Sequence, residues 1–190
     1  PLHSPDGGNV GLHKHLSILT HITKKVSGYP FIEYIRNEKY DFKLLEECTP
    51  RYVNTTCKIF INGAWIGVTA EPIEFKKLFI LHRRNGLFNI YTSLYWNIEL
   101  NEIHIQTDAG RPCHPLCYLN GNEISFEKDN IIKKIKDGKL SWNECLMGSC
   151  SSSVDKTIDN TDILNKSTLT GDLNTNQAVI EYLDTQEMQG

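Results

Sequence analysis

Lys58-Ile-Phe-Ile-Asn-Gly-Ala-Trp-Ile-Gly-Val68 decides how this chain is built. Two runs rich in β-branched and aromatic residues flank an Asn-Gly pair. Asn62 and Gly63 both tolerate positive φ, as a type I′ turn requires, so the stretch predicts a β-hairpin. Trp65 lies on an alternating strand and is expected to be the buried apolar anchor of that hairpin. Glu71-Pro72 then opens a helix running through Phe75, Leu78, Phe79 and Leu81. Arg83 and Arg84 fall in its last turn and Gly86 stands just beyond, a favourable C-terminal arrangement.

The same reasoning extends in both directions. Pro30 suits a first helical turn, and Phe31, Ile32, Tyr34 and Ile35 continue a short helix at about 30–38. Upstream, Ser4-Pro-Asp-Gly-Gly-Asn9 reads as irregular loop. Leu12, Leu16, Leu19 and Ile22 follow at near-helical spacing. Downstream, Ile90 to Ile98 and Ile103 to Thr107 read as strands. Leu116 to Leu119 and Glu123 to Phe126 flank Asn120-Gly-Asn122, a second hairpin with a three-residue loop. Ile131, Ile132 and Ile135 before Gly138 predict a helix, and Trp142 to Met147 another. Val179 to Leu183 reads as a returning strand. The fold class is therefore α+β, in small mixed domains with β-hairpins and short helices. Residues 148–177 are rich in Ser, Thr, Asp and Asn with no aromatic, and read as a disordered insertion.

Net charge is −3 over 190 residues, which gives no global sign of a nucleic-acid binder. The distribution is uneven. Residues 151–190 hold two Lys/Arg against seven Asp/Glu, leaving the rest mildly basic. No apolar run reaches the roughly 18 residues of a membrane span, and no signal peptide is visible. The chain begins at Pro1 in motif-like sequence, and we expect a piece of a longer polypeptide. Six scattered cysteines do not form a secreted disulfide framework, so a reducing, intracellular compartment is expected.

Candidate chemistry is sparse. Cys113, Cys117, Cys145 and Cys150 could supply four zinc ligands, but their spacing is poor and unpaired thiols are the default. His3, His13, His15 and His21 could form a metal or proton-transfer site, against the plainer reading as ordinary histidines. No specific Cys/His nucleophile pair and no phosphate-cradling loop stands out. Lys76, Lys77, Arg83 and Arg84 could touch phosphates. Helix termination and solubility explain them more simply.

Four stretches in order carry a resemblance. Ser4-Pro-Asp-Gly-Gly-Asn-Val-Gly-Leu12, with Lys14, Leu16 and Ser17, resembles the Thr-Pro-Glu-Gly…Gly-Leu…Leu-Ser segment of β-type, second-largest subunits of multisubunit DNA-directed RNA polymerases. Ile59 to Gly67 with Leu81-His-Arg-Arg-Asn-Gly86 resembles the Val-Asn-Gly-x-Trp-x-Gly hairpin and Leu-Arg-Arg helix end of the archaeal, eukaryotic and large-virus versions. Thr107-Asp-Ala-Gly-Arg111 with Pro115-Leu116 and Val179-Ile-Glu-Tyr-Leu-Asp184 resemble two further segments. Composition and the Gly-Gly-Asn variant are more like the large DNA virus type. Asp6 stands where the family usually has Glu, and His114 replaces an expected Arg.

The resemblance implies a place in the family's architecture. Residues 1–49 contain the end of the fork, next to the RNA–DNA hybrid. Residues 50–112 are the first external domain and 113–190 the second, interrupted by 148–177. It implies that no residue here is catalytic, that the chain alone catalyses nothing, and that nucleotidyl transfer with Mg²⁺ belongs to the assembly. Implied partners are the largest subunit, other polymerase subunits, the DNA template and the RNA–DNA hybrid, with no membrane. A viral member would sit in the virion or in host cytoplasm or nucleus. Asp6, Gly7, Asn9 and Lys14 are the implied nucleic-acid-facing residues. Gly7 permits close backbone approach, Asn9 donates and accepts, and Lys14 neutralises a phosphate. The rival readings are a free-standing zinc or nucleic-acid-binding module and a cysteine hydrolase.

Overall fold

The computed structural model describes residues 3–37, 40–127, 131–148 and 169–189. In chain order these form β1 (His21–Ile22), α1 (Tyr29–Asn37), β2 (Lys43–Leu44), α2 (Pro50–Val53), β3 (Cys57–Ile61) and β4 (Ala64–Thr69). There follow α3 (Pro72–Arg84), β5 (Ser93–Asn97), β6 (Glu102–Gln106), β7 (Pro112–Cys117), β8 (Leu119–Asn120) and β9 (Glu123–Ile124). The last elements are α4 (Ile131–Lys136), α5 (Trp142–Met147), α6 (Leu169–Asn176) and β10 (Ile180–Asp184). The mixture is α+β. Among the described residues no helix is long and apolar enough to cross a membrane.

The central hairpin forms as its turn chemistry dictates. Asn62 and Gly63 adopt φ of 49° and 82°, and β3 pairs antiparallel with β4 around them. The pair sits inside a five-stranded sheet of order β2-β4-β3-β6-β5. β3 and β6 run parallel, with β4, α3 and β5 forming the crossover between them. Gly67 is required where β2 closes on β4: a Cβ there would collide with the Lys43 carbonyl oxygen and the Phe42 ring.

Alternation along β3 buries Cys57, Ile59 and Ile61. These pack with Ile103, Ile105, Leu94, Phe75 and Phe79, and with Phe31, Ile35 and Tyr40 from the α1 region. Packing therefore does not divide at residue 49, since α1 and the 40–44 segment complete the core of the following stretch. Lys58 and Phe60 lie on the opposite face. The two-residue turn sets Trp65 opposite Phe60, where the two rings stack at 6.0 Å, and the register shift beyond that pair brings Gly67 opposite Ile59. Trp65 is half-buried on this outer face, its Nε1–H donating to the Gly67 carbonyl at 3.0 Å. The expected anchor role belongs instead to Ile59 and Phe79, both fully buried.

A second sheet joins distant parts of the chain in the order β1-β7-β10. The near-helical spacing of Leu12, Leu16 and Leu19 does not make a helix. These side chains are 71%, 65% and 62% exposed on irregular backbone, because nothing packs a face there. The second hairpin is smaller than expected, with β8 and β9 joined by the two residues 121 and 122. Of the stretch 148–177, residues 149–168 and with them Cys150 lie outside the described residues. Residues 169–176, expected to be disordered, form α6. Buried Leu173 and a 3.1 Å bond from Asn85 Nδ2 to its carbonyl tie α6 to the end of α3.

Candidate nucleic-acid-facing segment

The four residues singled out for nucleic acid lie on the first segment. Gly7–Asn9 form one 3₁₀ turn preceded by Asp6, with Val10 N–H donating to the Gly7 carbonyl at 3.2 Å. Gly7 has φ of +79°, which a side chain would strain, and a Cβ there would meet nothing within 4 Å. The structure thus brings Asp6, Gly7 and Asn9 together on one turn and leaves Lys14 on the irregular backbone that follows. All four residues are exposed. The side chain of Asp6 accepts no capping bond from the turn.

Behind this segment the chain is fixed by side chains of the remaining motifs. Ser17 Oγ lies 2.8 Å from Thr20 Oγ1 and 3.3 Å from His114 Nδ1. β1 then pairs with β7 through His21↔Cys113. Thr23 N–H donates to the Arg111 carbonyl at 3.1 Å, Gly110 N–H to the Thr23 carbonyl at 2.9 Å, and Thr23 Oγ1 to the Asp108 carbonyl at 2.9 Å. Val26 N–H donates to the Thr107 carbonyl, and Thr107 Oγ1 returns a bond to the Val26 carbonyl at 2.9 Å. Asn62 closes the circuit. Its Oδ1 accepts from Thr107 N–H and its Nδ2 donates to Thr107 Oγ1, each at 2.8 Å. The hairpin turn therefore clamps the start of the Thr107–Arg111 motif.

An ionic seam completes the scaffold. Arg83, 2% exposed, makes a bidentate pair with Glu187 at 2.7 Å per bond, and donates to the Thr92 carbonyl at 3.0 Å. It also reaches Glu181 at 3.3 Å. Arg84 binds Glu181 through Nε at 3.1 Å and Nη2 at 3.0 Å, and its guanidinium lies over the Tyr118 ring at 3.3 Å. Arg111 donates to Asp184 at 2.9 Å, to Ser93 Oγ at 3.0 Å and to the Tyr91 carbonyl at 2.7 Å. Burial raises the carboxyl of Glu181, but the bonds and charges of Arg84 and Arg83 outweigh it and hold it below the usual range. Asp184 is likewise lowered, burial being offset by bonds from Ser93, the Glu187 N–H and Arg111. Burial pushes Glu187 up against the pull of Arg83.

Arg83 and Arg84 are thus held by carboxylates, Arg83 fully buried and Arg84 partly exposed. The sequence carried a signal for this seam, since arginines and acids recur inside the four motifs, yet nothing local paired them. Another buried node lies at His82. Its Nδ1 lies within hydrogen-bond distance of the hydroxyls of Tyr34, at 2.8 Å, and Tyr40, at 3.0 Å, and burial lowers its pKa to about 4.

Three of the cysteines are unsuited to the rival chemistries. Burial pushes the thiols of Cys57 and Cys113 up to about 11 and raises that of Cys145, so each is protonated at neutral pH and a poor nucleophile or metal ligand. His15 Nε2 bonds the His3 carbonyl at 3.0 Å, and His21 stacks on Tyr91 at 4.3 Å. Among the described residues no group of three or more His, Cys, Asp or Glu is placed to hold a metal ion.

Known proteins resemble the chain along most of its length. Residues 59–120 match the family model of RNA polymerase Rpb2, domain 4. DNA-directed RNA polymerase II subunit RPB2 of Encephalitozoon cuniculi (strain GB-M1) is 33% identical over 143 residues, 75% of this chain and 12% of that protein. DNA-directed RNA polymerase II subunit 2 of Arabidopsis thaliana is 31% identical over 69% of this chain and 11% of its own length. DNA-directed RNA polymerase subunit 2 of Acanthamoeba polyphaga mimivirus is 30% identical over 77% of this chain and 12% of its own. The chain thus spans about an eighth of these relatives. The central hairpin from Ile59 onward, α3 and the Thr107–Arg111 motif fall inside the matched residues 59–120, and the chain belongs to the Rpb2-type family of second-largest RNA polymerase subunits.

Proposed function

We propose that this chain serves DNA-templated transcription as part of the second-largest subunit of a DNA-directed RNA polymerase, a nucleotidyltransferase. Its contribution is twofold. The seam and the two sheets act as scaffold, and the turn at residues 6–9 with Lys14 faces the RNA–DNA hybrid. The observation that carries the second part is the state of the turn. Asp6, Asn9 and Lys14 are exposed, and among the described residues their side chains make no hydrogen bond or ion pair. The backbone behind them is fixed by Ser17, β1 and Thr23. Exposed donors on an anchored backbone suit phosphate contacts that position a nucleic acid without reading its sequence. Asp6, itself anionic, suits orienting a neighbouring cation instead.

In this reading the partners are the largest subunit and the other polymerase subunits, the DNA template and the hybrid. Two-metal transfer with Mg²⁺ is work of the assembly, inside the cell, virion or host compartment where the enzyme operates. Residues 1–27 form the fork end, and the external domains follow. The test is a reconstituted polymerase carrying Lys14→Ala or Asn9→Ala. Elongation complexes should dissociate faster at raised salt while subunit assembly is unchanged. Normal elongation and normal salt resistance in both variants would leave the turn as scaffold only.

A further inference from the structure

Lys24 and Lys25 lie outside every motif that the resemblance or the function has used. They occupy the short link between β1 and α1. From Gly7 to Ile32 the chain contains no Asp or Glu, while it carries Lys14, Lys24 and Lys25 with His13, His15 and His21. Asp6 precedes this run, Glu33 follows it, and Asp108 lies in the motif bonded alongside.

Lys24 and Lys25 are exposed and have no ion pair among the described residues, as is also true of Arg51, Lys133, Lys134, Lys136 and Lys139. What separates this lysine pair from an ordinary solvated face is the rigidity of the backbone beneath it. Thr23 on one side is buried and bonded to Asp108, Gly110 and Arg111. Val26 on the other exchanges two bonds with Thr107. The two residues between these clamps are therefore held in place before any ligand arrives, which lowers the ordering cost of a contact.

We propose that Lys24 and Lys25 form a second phosphate-contact point for nucleic acid, continuing the acid-free strip that begins at the Gly7 turn. The inference rests on the reading of residues 6–14 as nucleic-acid-facing. The ligand class is a nucleic-acid backbone, bound by charge and without sequence preference. The chemistry follows from counterion release: each phosphate neutralised steepens the dependence of log affinity on log salt by about 0.9 for a duplex.

The experiment uses reconstituted polymerase with Lys24→Gln/Lys25→Gln, Lys24→Arg/Lys25→Arg and, separately, Lys14→Ala. The half-life of elongation complexes is measured from low to high salt. The glutamine pair should flatten the salt slope by on the order of 1–2, and the arginine pair should keep it, because charge and not ammonium geometry is required. An unchanged slope in the glutamine pair, with a flattened slope in Lys14→Ala, would overturn this inference and leave the proposed function standing. An unchanged slope in all variants would overturn both. Loss of another subunit from the purified enzyme, with the slope unchanged, would mean that the lysines meet an acidic protein surface, and would also overturn it.

Discussion

Removing the Arg83 side chain gives the sharpest test of the seam. Arg83→Met keeps the apolar stem and deletes the guanidinium, which is 2% exposed and donates to two carboxylates and the Thr92 carbonyl. Glu187 is left buried with only the Leu94 N–H, at 3.2 Å, of its present side-chain partners from β5 and α3. An unpaired buried carboxylate costs about 3–5 kcal/mol. Glu187→Gln is milder, because Arg83 retains Glu181 and the Thr92 carbonyl; it should cost about 1–3 kcal/mol. The double variant Arg83→Met/Glu187→Gln should be no worse than Arg83→Met alone, since the stranded charge is gone. The coupling energy is then at least about 1 kcal/mol, well outside the additivity of independent sites. The assay is urea unfolding of the 190-residue chain, with the dependence on denaturant checked for constancy. A cost for Arg83→Met below about 1 kcal/mol, or additive single effects, would refute the claim that the seam is part of the scaffold.

Three further outcomes follow from the geometry. Because burial lowers His82 to about 4 in the folded chain, the unfolded chain takes up a proton first as pH falls through about 6.5. Stability should drop by about 3 kcal/mol between pH 6.5 and 4, with further loss below as the depressed Glu181 and Asp184 protonate and Glu187 working the other way. NMR titration showing the His82 ring protonated at pH 6 would contradict this. Trp65→Ala should cost only about 1–2 kcal/mol and Ile59→Ala about 3–5 kcal/mol, since the tryptophan is on the open face and the isoleucine in the core; reversal of that order in thermal or urea unfolding would put the core on the wrong face. Leu173→Ala should cost about 2–3 kcal/mol, and no change in the thermal midpoint would mean that α6 does not pack on α3.

Much of the local structure was legible in the residues. Asn62-Gly63 specified its turn because few residues take positive φ cheaply. Pro72, the apolar period and Gly86 bounded α3 within a residue or two of where it lies. Trp142 to Met147 was placed correctly, and its Ser141/Glu144 capping box explains why. The order of four motifs was enough to point to the polymerase family. These signals are short-range: they depend on turn sterics, capping and periodicity within a few residues.

Only the tertiary structure decided which face is buried and which charges meet. The two-residue turn paired Trp65 with Phe60 on the face away from Ile59 and Ile61, and no alternation pattern read from the hairpin says which of its two faces the core will cover. The parallel pairing of β3 with β6 spans the whole β4–α3–β5 crossover, a closure that no local signal specifies. Arg83 looked like a helix-terminating surface cation because its partners, Glu181 and Glu187, are 98 and 104 residues away. At such separations the sequence supplies the charges, but their pairing is decided by chain closure and desolvation, which act only once the core has formed.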